Sequence, residues 1–149
     1  MSISHAVSVC LWYDGNAEEA ARLYTSLVPN SEITSTSPVM VTFTLDGVPF
    51  QALNGGPQFK PTEAASIVIS TKNQEDTDRL WRELTSDGGS EGRCAWLKDR
   101  FGVSWQIVPQ ILPKLLGAAD RQAADRTLQA MLKMSKIDIK GLEAAFHAS

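Results

Sequence analysis

Apolar and polar positions alternate along residues 6–13 (AVSVCLWY), with Val7, Val9 and Leu11 on one face and Ser8, Cys10 and Trp12 on the other. Alternation of this kind predicts a β-strand. Asp14-Gly15 breaks it. The period then lengthens. Ala17, Ala20, Ala21, Tyr24, Leu27 and Val28 recur at helical spacing, so an amphipathic helix is expected over residues 16–27. Asn16 is its expected N-cap, with Glu19 at the third helical position, a variant of the capping box. Pro29-Asn30 ends the helix. Three strand-like stretches follow, at 31–37, 39–45 and 48–53, and Asp46-Gly47 between the last two is a strong hairpin signal. Residues 54–61 (NGGPQFKP) read as a loop.

The pattern then returns. Residues 65–71 predict a strand, Asn73 caps a helix to Leu84 with Asp76 at its third position, and Asp87-Gly88-Gly89 ends it. A short irregular strand is expected at 89–93. Residues 96–109 (WLKDRFGVSWQIVP) read as a hairpin turning at Asp99 to Gly102. Asn16, Glu18, Glu19, Arg22, Leu23 and Tyr24 stand 57 residues before Asn73, Glu75, Asp76, Arg79, Leu80 and Trp81. Each half is a strand, a helix and three strands, so two related modules are expected. Beyond them, apolar spacing at Ala124, Leu128, Met131 and Leu132 predicts a helix over 120–133. Asp138 is placed to cap a last helix carrying Ile139, Leu142, Ala145 and Phe146 on one face. These two helices are expected to cover the outer face of the sheet or a partner subunit.

Composition narrows the function classes. A chain of 149 residues that is 43% hydrophobic can bury a core without staples. Net charge is −3, and no run of Lys or Arg stands out, so no nucleic-acid partner and no anionic-membrane partner is expected. No apolar run approaches the roughly 20 residues of a membrane span. Residues 1–10 show no secretory pattern. Cys10 and Cys94 lack metal spacing and read as reduced thiols in a cytoplasmic protein.

Three blocks carry a resemblance: LWYDGNAEEAARLY (11–24), FQALNGGPQF (50–59) and WLKDRFGVSWQIVP (96–109). With them the chain resembles the vicinal oxygen chelate superfamily of glyoxalase I, extradiol dioxygenases and bleomycin- and fosfomycin-resistance proteins. Within it the chain is similar to the PhnB-like branch labelled 3-demethylubiquinone-9 3-methyltransferase. The tail at 131–146 (MLKMSKIDIKGLEAAF) resembles that branch's extension. The resemblance implies an α+β fold in one glyoxalase-like domain: two tandem βαβββ modules, about 5–55 and 64–110, forming a cupped mixed sheet, plus two C-terminal helices within about 113–149. It also implies a homodimer.

In that superfamily four inward side chains, typically His and Glu, hold a divalent metal in the cup. The matching positions here are Ser8 and Ser66 on the first strands and Gln51 and Gln106 on the last strands, with the alignment of Ser8 open by one residue. Two hydroxyls and two amides bring no anionic charge to offset dehydration of the ion. No bound metal and no other cofactor is therefore expected; His5 precedes the first strand and His147 lies in the tail, so neither replaces a ligand and both read as surface histidines. The four polar positions suit hydrogen bonds to a small molecule. Alternatively, they pair with each other and with water.

Trp12 and Trp96 are candidates for an aromatic wall in the cup or for core packing, while Trp81 and Trp105 belong to sheet–helix packing. Lys98, Asp99 and Arg100 read as a solvated turn, with Lys98 near the cup rim. Cys10 has no evident His or Asn partner for nucleophilic catalysis, and no catalytic residue is assigned. The expected function is metal-independent binding of a small organic molecule, reaction undetermined. One alternative is an enzyme, either the labelled methyltransferase or a metal-dependent lyase or isomerase. Another is a drug-sequestering protein of the resistance type. The labelled methyl transfer gets little support, because Asn54-Gly55-Gly56-Pro57 follows a hairpin rather than opening a helix.

Overall fold

The computed structural model describes residues 5–149. The chain divides into two compact units, one up to Pro61 and one from Thr62 onward. In the first, β1 (Val9–Tyr13) leads through α1 (Ala17–Leu27) to β2 (Glu32–Thr36), β3 (Met40–Leu45) and β4 (Val48–Asn54). In the second, β5 (Ser66–Thr71) leads through α2 (Gln74–Thr85) to β6 (Ser90–Glu91), β7 (Trp96–Lys98) and β8 (Ser104–Pro109). The sheet orders are β1-β4-β3-β2 and β5-β8-β7-β6. In both, the first strand runs parallel to the last and the remaining pairs are antiparallel. The βαβββ repeat expected from the sequence is present twice.

Each sheet buries one face under its helix. In the first unit Val41, Phe43, Leu45, Phe50 and Ala52 lie at 8% exposure or less, and Ala17, Ala20, Ala21 and Tyr24 of α1 are fully buried. The Tyr24 ring lies 6.2 Å from that of Phe43. In the second unit Leu97, Trp105 and Ile107 meet Leu80, Trp81 and Leu84. Trp81 and Trp105 are therefore sheet–helix packing residues, as their spacing suggests. Asp46 and Gly47 both take positive φ, 49° and 78°, the requirement of a type I′ hairpin turn.

The helix starts differ between the units. Asn73 caps α2 through its own side chain, which accepts from the Asp76 amide at 2.8 Å. Asn16 makes no such bond. Its place is taken by Asn54, at the end of β4, whose Oδ1 accepts from the Ala17 amide at 2.9 Å. The expected capping box at Asn16 and Glu19 is thus replaced by a cap from a distant strand.

The turn at residues 98–100 is the main correction. Asp99 is not solvated: it is 2% exposed. Its Oδ1 accepts from the amides of Phe101 (2.9 Å) and Val103 (3.0 Å), and its Oδ2 accepts from Trp105 Nε1 at 2.9 Å. Its own amide donates to the Val103 carbonyl at 2.9 Å. The carboxylate replaces the hydration lost by the turn backbone and by a buried indole. An ionised group can be buried when it gains this many donors.

The C-terminal extension contains three helices: the two expected, at α4 (Arg121–Met131) and α5 (Ile139–His147), and a short additional α3 (Ile111–Leu116). Pro113 sits in the first turn of α3, where its missing N–H costs nothing. The extension packs within its own unit. Leu112, Leu115, Ile137 and Leu142 cluster with Ala95, and Val108 of β8 lies against them. Both ends of the Gln74 amide hold it to the start of α2, donating to the Ile137 carbonyl (2.9 Å) and accepting from the Ile139 amide (2.8 Å). The hydrogen bond from the Ile139 amide to Gln74, rather than one to Asp138, caps the start of α5, since the Asp138 side chain makes no capping bond. Lys136 pairs with Asp78 at 2.9 Å.

Among the described residues, no helix is long and apolar enough to cross a membrane.

Replacing Asp99 tests the buried carboxylate. D99A leaves two backbone amides and one indole N–H without their acceptor and is expected to lose about 3–5 kcal/mol of unfolding free energy. D99N, which keeps one acceptor oxygen, should lose roughly 1–3 kcal/mol. Urea titrations check both, and a loss below about 1 kcal/mol for D99A would contradict the assignment.

Hydrogen bonds from Gln74, then from Lys136, hold the Asp78 carboxyl below its ordinary value. A carboxyl depressed on folding stabilises the native state at pH above its unfolded value, about 3.9, and the contribution is lost as pH falls through the folded value. The melting-temperature gap between wild type and D78N should accordingly be full at pH 7 and close at pH below about 4.

Candidate functional site

The face of each sheet turned away from its helix carries the Ser and Gln positions among apolar neighbours, and the pairing register identifies its members. Residues paired across neighbouring strands project from the same face. In the first unit Cys10 pairs with Gln51, and Gln51 with Thr42. In the second Val68 pairs with Gln106, and Gln106 with Trp96. Cys10 therefore corresponds to Val68, and Ser8 to Ser66. That settles the one-residue ambiguity left by the helix alignment, with the extra residue in the turn after β1.

The predicted polar positions come together in pairs within each unit. Gln51 Nε2 lies 3.4 Å from Ser8 Oγ, and Gln106 Nε2 lies 3.0 Å from Ser66 Oγ. The second bond is the better formed of the two. This donor set does not fit a divalent cation, because each pair is made of neutral groups already bonded to one another. Among the described residues, no three His, Cys, Asp or Glu side chains come together to hold a metal ion. His5 is exposed, and so is His147, which lies edge-on to Phe146.

Trp12 lies half-buried on the face of Gln51, but its indole is engaged by the loop that follows β4. Nε1 donates to the Gly56 carbonyl at 2.9 Å, and the Phe59 ring stands 5.0 Å away, edge to face. A Cβ on Gly55 would overlap the indole ring. Residues 54–61 thus form a loop packed on Trp12, with Phe59 still 65% exposed. Cys10 is exposed on the same face.

Trp96 sits differently. With Glu63, Ser90, Arg93, Lys98 and Ser104 it lines a cavity of about 550 Å³ in the second unit. Ser90, Lys98, Ser104 and Ser66 form one row across β6, β7, β8 and β5, and Trp96 and Gln106 belong to the next row. Lys98 pairs with Glu63, whose carboxyl is held below its ordinary value by that hydrogen bond first, then by a backbone hydrogen bond and the Lys98 charge. Lys98 was legible as a rim residue from its alternation with Trp96. Glu63, Arg93 and Ser104 were not, because loops bring in the first two and Ser104 reads as an ordinary strand serine.

Residues 5–108, which include the two mixed βαβββ sheets up to β8, match the family model described as 3-demethylubiquinone-9 3-methyltransferase, and the chain belongs to that family. Among solved structures, a putative 3-demethylubiquinone-9 3-methyltransferase, PhnB protein, from Bacillus cereus is 29% identical, with a TM-score of 0.64 over 70% of this chain and 99% of that one. The fosfomycin resistance protein FosX from Listeria monocytogenes, complexed with Mn(II) and sulfate, is 14% identical with a TM-score of 0.53, over 72% of this chain and 91% of that one. A glyoxalase/bleomycin resistance protein from Albidiferax ferrireducens is 14% identical with a TM-score of 0.51, over 69% and 96% of the two chains. The last two show likeness of fold alone. No curated protein matches the sequence.

Gly55→Ala should displace the Trp12 indole and cost roughly 1–3 kcal/mol, as overpacking does. The Trp12 indole N–H resonance, assigned with W12F, should shift in the variant. An unmoved resonance would show that the loop is not packed on this ring.

Proposed function

We propose that this chain is a metal-independent, small-molecule-binding member of its family, with ligand held on the polar face of a βαβββ sheet. The observation that carries the reading is the repeated Ser–Gln pair, Ser8 with Gln51 and Ser66 with Gln106. A carboxamide and a hydroxyl offer both donors and acceptors to a neutral or anionic ligand, whereas they are poor ligands for the metals that imidazole and carboxylate bind. Methyl transfer, the family's descriptive name, draws no support from the loops: the glycine-rich residues 54–56 follow β4 and are packed on Trp12, with no helix behind them to receive a cofactor phosphate or carboxylate.

A homodimer in a cytoplasmic setting belongs to the same reading. Its support is that β1 and β5 are edge strands whose apolar side chains are open: Val7, preceding β1, is 79% exposed, Val9 45% and Val68 56%. Exposed edges of this kind are where a second chain pairs. Cys10 and Cys94 are free thiols.

Elemental analysis of protein purified without chelator should find less than about one metal ion per ten chains, given the neutral donors. Near-stoichiometric Mn, Fe, Ni or Zn that disappears in the Q51A/Q106A double variant would overturn the metal-free assignment. S-adenosylmethionine at millimolar concentration should leave the melting temperature unchanged, whereas a ligand present at 100 times its Kd would add about 2.7 kcal/mol. A ligand-observed NMR screen of neutral and anionic fragments should yield binders that shift the Gln51 or Gln106 side-chain amides.

A further inference from the structure

The cavity in the second unit contains one polar atom that the fold leaves unused. Ser104 is 1% exposed, lines the cavity, and its hydroxyl has no hydrogen-bond partner in the protein. Buried hydroxyls are normally paired, and an unpaired one counts against the stability of the fold that buries it. The hydroxyl group shares its row with Lys98 and Ser66, while Ser66 already accepts from Gln106 and Lys98 is taken by Glu63.

The charges lining the cavity are not equally engaged. Glu91 accepts from Trp81 Nε1 at 2.6 Å, on the helix side of the sheet. Glu63 holds Lys98, but this is a surface pair, with side chains 63% and 43% exposed, and such pairs give way easily. Among the described residues, the Arg93 side chain makes no ion pair and no hydrogen bond, its carbonyl alone accepting from the Trp96 amide at 3.1 Å. Two cations and an unpaired hydroxyl thus border one space, and among the described residues the anion on those cations is the exposed Glu63 carboxylate.

The rim that carries Arg93 is built rather than loose. Cys94 and Ala95 both take positive φ, 56° and 81°, a conformation that non-glycine residues adopt at a cost. The C-terminal extension holds them there, since the Cys94 amide donates to the Met134 carbonyl and the Ala95 amide to the Ser135 carbonyl, each at 2.9 Å. At the other side of the rim the Gly92 amide donates to the Trp96 carbonyl at 2.8 Å, and a Cβ on Gly92 would come within 2.8 Å of that oxygen. Trp96 and Arg93 are therefore set at the cavity mouth by the backbone around them.

From this arrangement we infer that the cavity of the second unit is a subsite for a small organic oxyanion on a planar apolar body. Its anionic oxygens meet Arg93 and Lys98, displacing Glu63, one acceptor oxygen takes the Ser104 hydroxyl, and the body lies against Trp96. Glu63 stands in for the ligand's own anion while the subsite is empty of it. A volume of about 550 Å³ accommodates a ligand of this class. The assignment rests on the small-molecule reading above and adds to it a charge, a shape and a location.

The test uses the full chain with benzoate and phenylphosphonate as probes and benzamide as their neutral counterpart. Binding is read by calorimetry and by the Trp96 indole N–H resonance, assigned with W96F. At least one of the two anions should bind and shift Trp96, at least about ten-fold more tightly than benzamide, since a charge-assisted hydrogen bond is worth about that factor. R93A should weaken the anion about ten-fold, and E63Q, which removes the competing carboxylate, should tighten it several-fold. S104A is the decisive variant. It should weaken the anion while leaving the melting temperature of the free protein unchanged or raised, because it deletes an unpaired buried hydroxyl. A melting temperature lowered by several degrees would assign Ser104 a structural partner and overturn its role. Benzamide binding as well as the anions, or anions that shift the Gln51 amide but not Trp96, would overturn the subsite while leaving the small-molecule reading intact. If no fragment in the screen binds anywhere, both readings fail together.

Discussion

The buried carboxylate of Asp99 is the interaction on which the second module depends most. One side chain binds two turn amides and the indole of Trp105, and so joins the β7–β8 turn to the sheet–helix core. This fixes the strands on both sides of the turn. Lys98 immediately precedes it and Ser104 follows five residues after it, and the register makes them direct partners on the polar face. If Trp105 is held inward, alternation places Ser104 and Gln106 outward. A charge that never touches the cavity therefore decides which side chains line it.

The two modules share a plan but achieve it by different contacts. Both place a serine of the first strand beside a glutamine of the last. Both tie the end of the first strand to the helix by a hydroxyl pair, Tyr13 to Tyr24 at 3.0 Å in one and Thr71 to Thr77 at 2.7 Å in the other. Their polar faces nonetheless diverge. In the first, the loop after β4 packs onto Trp12, and Thr34, Ser35 and Thr42 bond among themselves at 2.5–2.6 Å. In the second, Trp96 is left at the edge of a cavity with cations beside it. The repeat is conserved in the backbone, while the chemistry has separated.

The extension explains why that separation is possible. It lies outside the βαβββ plan, yet it packs on Ala95 and Val108 and supplies the carbonyls that hold Cys94 and Ala95 in a strained conformation. A short loop in that conformation cannot be maintained by its own few contacts. The burial of Leu112, Leu115, Ile137 and Leu142 provides the stabilisation that offsets the strain. The helices are thus part of the cavity's construction without lining it.

Local patterns in the sequence determined the element order of the two modules, though not the short α3, together with the hairpin at Asp46-Gly47, the cap at Asn73 and the repeat. Each of these rests on side-chain spacing or turn chemistry within a few residues. Ser8, Gln51, Ser66 and Gln106 were singled out by the resemblance to the vicinal oxygen chelate superfamily, not by local pattern. Only the tertiary structure decided the rest. Asn54, not Asn16, satisfies the start of α1, from 37 residues away. Asp99 is buried because an indole six residues on needs an acceptor, which a turn-forming Asp does not reveal by itself. Ser104 is left unpaired and Arg93 is brought to the same space by a loop that the extension holds. These outcomes depend on groups distant in the chain competing for the same partners, and only close packing settles that competition.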